Sequence, residues 1–387
     1  MAEVEKNKLV HWVDEQENEL FQRWENMVNI DTGTYCKEGI DKMGGLLKEV
    51  LEKAGFEAEV YPQADYGNHL VLRKKGNGKG KILLVGHLDT VFADQEAQKR
   101  PFKIEGDRAY GPGVHDMKGG LVVMTGAVEA LNALHFEDYE SISVLLNSDE
   151  EVGSPSSRDL IEEEAKKADV VLVFEPARTD RSLVTARKGV GMYAIEVTGR
   201  AAHAGADPQA GVSAVEELAH KILDLHALNN YKIGTTVNAG VISGGTRSNV
   251  IAEKAKAEID VRIFTKDEGD RIDQALQAIA GKNYLEGAET KLTGGLNRPP
   301  MEKNEGTVRL LSLVEKAGEE LGIKITDVAS GGASDGNFTS AVGTPTIDSM
   351  GTVGGLAHGV SEYSEIDSLL EKVKLTAFTI ANIKKIL

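Results

Sequence analysis

The side chains best equipped for chemistry lie in a few short segments. Lys81-Ile-Leu-Leu-Val-Gly-His-Leu-Asp-Thr90 delivers His87 and Asp89. Asp116 follows Gly111-Pro-Gly-Val-His115, and Glu150 and Glu151 are neighbours in Asn147-Ser-Asp-Glu-Glu-Val-Gly153. Glu175 follows Val170-Val-Leu-Val-Phe174, and His358 sits in Ala357-His-Gly359. Imidazole nitrogen and carboxylate oxygen without sulfur suit zinc, and cobalt or manganese fit the same donors. A pair of divalent ions about 3.5 to 4 Å apart needs distributed ligands and a bridging carboxylate. Adjacent glutamates are informative there: one can ligate while the other takes a proton from an activated water. Each cluster alone also has an ordinary reading, since Asp149-Glu-Glu151 equally describes a solvated acidic turn. Glu175 is harder to dismiss, because a charge at the end of a buried strand is costly without a partner.

The elements around these residues would present them at one place. Ile82 to Val85 is a short continuous apolar run, which suits a strand buried on both faces. Alternate side chains of an extended chain point the same way, so His87 and Asp89 emerge together at its carboxyl end. In open α/β sheets ligands bind at that end. Further strands are predicted over 56–61, 69–73, 142–146 and 170–174, with helices over 6–30, 38–54, 120–134 and 157–167. That alternation implies an α/β unit with a mostly parallel central sheet flanked by helices. The run Gly76-x-Gly78-x-Gly80 lacks the Lys-Ser/Thr ending of a phosphate loop and opens onto a strand, so it reads as a hairpin turn.

From residue 187 the texture changes. Strands over 187–197, 235–243 and 250–264 flank helices over 211–228 and 266–280, the β-α-β-β-α-β pattern of a split-βαβ, ferredoxin-like α+β domain. Asn297-Arg-Pro-Pro300 reads as its exit linker, after which α/β texture resumes. The expected domains are therefore 1–187, an inserted 188–299, and 300–387 completing the first.

A chain of 387 residues is long enough for two domains. Hydrophobic content of 41% with 27% charged residues allows a sizeable core. A net charge of -17 argues against nucleic acid and anionic membrane surfaces as partners. Cys36 is the only cysteine, so neither an intrachain disulfide nor a thiolate metal cluster is available. The amino end lacks the apolar core of a signal peptide and no run reaches membrane-spanning length, so a cytoplasmic protein is expected.

In order and spacing, several motifs resemble those of the M20 family of dinuclear zinc exopeptidases, and most closely its glutamate carboxypeptidase branch. They are Gly86-His-Leu-Asp-Thr-Val-Phe92, Tyr110-Gly-Pro-Gly-Val-His-Asp-Met-Lys-Gly-Gly120, Asn147-Ser-Asp-Glu-Glu-Val-Gly-Ser154, Phe174-Glu-Pro176 and Ala357-His-Gly359. Gly199-Arg-Ala-Ala-His-Ala-Gly205, Ser248-Asn-Val-Ile251 and Asp260-Val-Arg262 match in the second domain. The resemblance implies two zinc ions per subunit. One is held by His87 and Glu175, the other by Glu151 and His358, with Asp116 bridging. It also implies that Asp89 orients His87, that Glu150 is the general base, and that the Asp116-Met117 peptide is cis. The inserted domain becomes a lid and dimerisation domain of a homodimer. His203 would contact the scissile carbonyl, and Asn249 and Arg262 would grip the terminal carboxylate. The implied activity is cleavage of the amide bond to a carboxy-terminal amino acid, glutamate being one candidate, in small peptides or N-acyl amino acids. Arg187 and Lys188 depart from the glutamate carboxypeptidase pattern. Alternatives are an N-acyl-amino-acid deacylase and a catalytically silent relative that binds a metal or an amino acid. His115 reads as structural, and Ser334 and Asp335 as supports near the site.

Overall fold

A computed structural model describes residues 3–387; the first two residues of the amino end read above lie outside them. The chain forms two compact units. One comprises the chain up to Thr185 together with Lys303–Ala329 and Ser334–Leu387; the other is Ala186–Glu302 with Ser330–Ala333. The glycine-rich segment 330–333 thus belongs to the second unit rather than to the closing stretch. Lys188 N donates to Ser330 O at 3.0 Å, and Arg187 Nη1 donates to Gly332 O at 3.1 Å.

The first unit is built on a six-stranded sheet in the order Glu57–Tyr61, His69–Lys75, Ser141–Asn147, Lys81–His87, Val170–Val173, Thr346–Ile347. The last four run parallel, and the first two are joined to them at one edge through antiparallel pairings. Lys81–His87 is buried from Ile82 onward, as its unbroken apolar run predicts. Its pleat divides those side chains between two cores. Ile82 and Leu84 join the larger core with Trp24, Leu121 and Val373, whereas Leu83 and Val85 pack with Ile161 and Phe338 on the other face.

Two local readings change. The spacing predicts one helix over 6–30, but the chain breaks at Gln16 (φ -89°, ψ 4°) into Glu3–Glu15 and Glu17–Val28. The glycine run 76–80 is not a hairpin turn, because Ser141–Asn147 lies between the two strands it joins. The run instead hugs the loop before that strand. Gly76 N donates to Glu140 O at 3.0 Å, and a Cβ at Gly76 would stand 2.3 Å from Tyr139 O.

The second unit is a four-stranded antiparallel sheet in the order Thr236–Gly244, Lys254–Ile263, Gly189–Thr198, Glu289–Arg298. Helices Ala214–His226 and Lys266–Gly281 pack on it through Leu218, Leu225, Ile272 and Leu276. Both start at side-chain caps: Ser213 accepts from Glu216 N and Thr265 from Glu268 N. Asn297 and Arg298, expected in the exit linker, complete the last strand, where Arg298 pairs with Val190.

Candidate metal centre and catalytic site

Strand ends and loops of the first unit bring the predicted donors together. His87, the last residue of the central strand, has Nε2 3.2 Å from Asp116 Oδ1 and 3.6 Å from Glu175 Oε1. His358 Nε2 lies 3.1 Å from Asp116 Oδ2 and 3.5 Å from Glu151 Oε2. The two oxygens of Asp116 therefore face different imidazoles, and each imidazole Nε2 has one further carboxylate beside it. Donor atoms of His87, Asp116 and Glu151 lie within 4.8 Å of one another, as do those of His87, Glu150 and Glu175. Glu150 thus stands among the donors themselves.

Backbone anchors hold this arrangement. His87 Nδ1 lies 3.0 Å from the main-chain oxygen of Asp89 and 3.5 Å from its Oδ1, so the carbonyl is the nearer acceptor and Nε2 is presented to the cluster. The Asp89 carboxylate has a second task. It accepts from Thr34 Oγ1 at 2.8 Å and from the amides of Glu150 and Glu151 at 3.2 Å each, fixing the turn that carries both glutamates. Asp335 supports that turn from behind, accepting from Asn147 Nδ2 at 2.7 Å and Ser154 Oγ at 2.5 Å. Ser334 Oγ donates to Asp348 Oδ2 at 2.5 Å.

Glu362 is a participant that the motifs do not single out. Fully buried, it accepts from the amides of Gly113 (3.0 Å), His115 (2.8 Å) and Asp116 (2.8 Å). Burial pushes its carboxyl up to about 7 against the pull of those amides. The only sequence signal is an acid four residues after His358. The Asp116-Met117 peptide is cis, as the resemblance implies, and His358 has a left-handed backbone (φ 65°). His115 is structural: burial pushes it down to about 4, and its Nδ1 lies 3.3 Å from Ser364 Oγ.

The charges show what the cluster suits. Burial first, then the Asp116 charge, pushes the Glu151 carboxyl up to about 10 and raises Glu175 likewise. Asp116 is held low: burial opposes ionisation, but hydrogen bonds with His358 and His87 outweigh it. Glu151 Oε1 is buried with no hydrogen-bond partner among the described residues. Crowded carboxylates with an orphaned oxygen suit a divalent cation, which relieves both desolvation and mutual repulsion. The donors present therefore fit a metal.

A family model described as Peptidase family M20/M25/M40 matches residues 83–382. The chain belongs to this family. It is similar to carboxypeptidase G2 of Pseudomonas sp. (strain RS-16), 33% identical over 385 residues that cover 97% of this chain and 92% of the relative. It is also similar to succinyl-diaminopimelate desuccinylase of Psychrobacter arcticus, 29% identical over 84% of this chain and 85% of that one. The fold matches the crystal structure of aminopeptidase PepT from Bacillus cereus with a TM-score of 0.81 at 20% identity, covering 95% of this chain and 99% of that one. The protein is a metal-dependent hydrolase of the M20 peptidase family, and its mixed α/β fold with a separate α+β unit is the one the motifs imply.

In this M20 hydrolase the remaining predicted residues lie in the second unit. His203 is exposed, and its Nδ1 accepts from the amides of Gly205 (3.2 Å) and Ala206 (3.0 Å). Two donors on Nδ1 assign the proton to Nε2, making that atom an outward donor. Asn249 O accepts from Ala204 N at 3.0 Å, stitching the Asn249 segment to that of His203. Arg262 is engaged along its Nε edge by Asp260, at 2.9 Å from Nε to Oδ1 and 2.9 Å from Nη2 to Oδ2.

Proposed function

We propose that this M20 hydrolase uses two zinc ions to cleave the amide bond to a carboxy-terminal amino acid, glutamate among the candidates, in small peptides or N-acyl amino acids. The observation that carries the reading is the placement of Asp116 Oδ1 and Oδ2 against His87 and His358, with Glu150 beside the cluster. His87 and Glu175 would hold one ion, His358 and Glu151 the other, and Asp116 both. Bound there, the ions supply Lewis acidity and bring a water's pKa toward neutrality. Asp89 keeps His87 and the Glu150-Glu151 turn in register. Glu150 takes the proton of the attacking water and returns it to the leaving amine. His203 Nε2–H is a donor suited to the carbonyl oxygen as negative charge develops on it. The Nη1/Nη2 edge of Arg262, opposite the edge that Asp260 takes, suits bidentate recognition of a terminal carboxylate, with Asn249 as a further polar group.

Deacylation of N-acyl amino acids is the second reading, favoured by the similarity to a desuccinylase over most of the chain. A homodimer is supported by the edge strand Thr236–Gly244, where Val241 and Ile242 are exposed. The single cysteine suits a reducing cytoplasm. No described helix is long and apolar enough to cross a membrane.

The test is zinc-loaded protein assayed against dipeptides and N-acetyl amino acids that share a carboxy-terminal residue. Glu150→Ala should keep metal content and fold while losing roughly 10²–10⁴-fold in kcat. Unchanged turnover in that variant would remove Glu150 from the mechanism.

A further inference from the structure

Beside Glu151 the first unit holds an open cavity of about 500 Å³ that the catalytic steps above do not use. Its walls are two short loops, residues 33–36 and 90–94, with Val152 opposite. The loops are clamped backbone to backbone: Thr34 N donates to Thr90 O at 3.2 Å, and Thr90 N to Thr32 O at 2.8 Å. A Cβ at Gly33 would stand 2.2 Å from Phe92 O, so only glycine allows so close an approach. Arg100 backs the Phe92 ring with its guanidinium 4.8 Å from the centroid. It is itself fixed by Glu96 Oε1 (2.7 Å) and Val360 O (2.9 Å). The cavity is thus preformed, as ligand sites usually are.

Its chemistry is one-sided. Tyr35 is 71% exposed and Val152 40%, giving with Phe92 an apolar and aromatic rim. Of the two charged lining residues, Glu151 turns Oε2 toward His358, which leaves the exposed Asp94 as the charge offered to a ligand. A free carboxylate is disfavoured beside Asp94, so the carboxylate-bearing leaving group does not belong here.

We propose that this cavity receives the acyl side of the scissile amide, an apolar or aromatic group that can end in a donor or a cation, and that it selects against acidic acyl groups. The proposal rests on the amidohydrolase reading above and names the substrate class of that site. Phe92 and Tyr35 supply the contact area, and Asp94 sets the sign of the charge accepted.

The test uses zinc-loaded protein and N-acetyl dipeptides with one shared carboxy-terminal residue, preceded by Phe, Lys, Ala or Glu. Wild type should show higher kcat/KM for Phe and Lys than for Ala, and the lowest for Glu. Asp94→Asn should shrink the Lys-over-Glu preference by about fivefold or more. Phe92→Leu should shrink the Phe-over-Ala preference, chiefly through KM, with the thermal midpoint of both variants checked against wild type. Glu accepted as well as Lys by wild type, or preferences unmoved in both folded variants, would place the acyl group elsewhere while leaving the hydrolase reading intact. No turnover of any member, nor of N-acetyl amino acids, would bring down the hydrolase reading and this assignment with it.

Discussion

The two units treat buried charge in opposite ways. In the second, Lys221 and Glu217 are both fully buried one helical turn apart, with Nζ 3.1 Å from Oε1. Lys221 also donates to the carbonyls of Ile279 (2.9 Å) and Ala280 (3.3 Å), and Glu217 accepts from the amides of Tyr284 (2.9 Å) and Leu285 (2.7 Å). Both charges of that pair are answered by the unit's own atoms. In the first unit, Asp116, Glu151 and Glu175 crowd around two imidazoles, and Glu151 keeps an orphaned oxygen. One unit is electrostatically closed. The other gathers donors that suit a cation.

The sharpest attempt to break that contrast is Glu217→Ala, which strands a buried ammonium. It should destabilise the second unit by about 3–5 kcal/mol in denaturant unfolding. A loss too small to measure would mean that the pair is not needed for closure. Next comes stripping the metal with a chelator. The thermal transition of the first unit should fall and return on adding zinc, with about 2.7 kcal/mol regained at a hundredfold excess over Kd, while hydrogen exchange in the second unit stays unchanged. Equal loosening of both units would erase the distinction.

The smallest expected effect concerns Lys372, buried on the helix Asp367–Asn382 with no hydrogen-bond partner for Nζ among the described residues. Burial pushes its ammonium down to about 8 from an ordinary 10.5. The unfolded chain therefore binds more protons between those values, and stability should rise as pH climbs from about 8 to 10.5. Lys372→Met should flatten that slope and add about 1–3 kcal/mol at pH 7. A slope that survives the substitution would assign it to another group.

Much of this was legible because it is local. The run Ile82 to Val85 announces a two-faced strand, and strand ends name His87 and Glu175 by position alone. The ordered motifs supply Asp116, Glu150, Glu151 and His358, and the structure gathers all of them. What stayed hidden depends on distant backbone. Glu362 acts by accepting three amides, which no side-chain pattern near it records. The second role of Asp89, holding the Glu150-Glu151 turn, is likewise a main-chain matter. The glycine run 76–80 misled because strand order is a non-local choice, and nothing near it says that Ser141–Asn147 will come between. Pro299 and Pro300 made 297–300 look like a linker, yet the strand ends only at Arg298, where pairing with Val190 outweighs local composition.

The contacts of His358 and Glu362 with the Asp116 loop have a consequence in time. They span 242 and 246 residues of chain. A polypeptide still emerging from the ribosome has the central strand and Asp116 long before it has His358 and Glu362, so it carries half a cage and a loop without its fastening. On the proposed reading, hydrolytic competence would arrive only with the closing stretch of synthesis, and a product truncated before His358 would lack that imidazole, Glu362 and the core helix Asp367–Asn382 together.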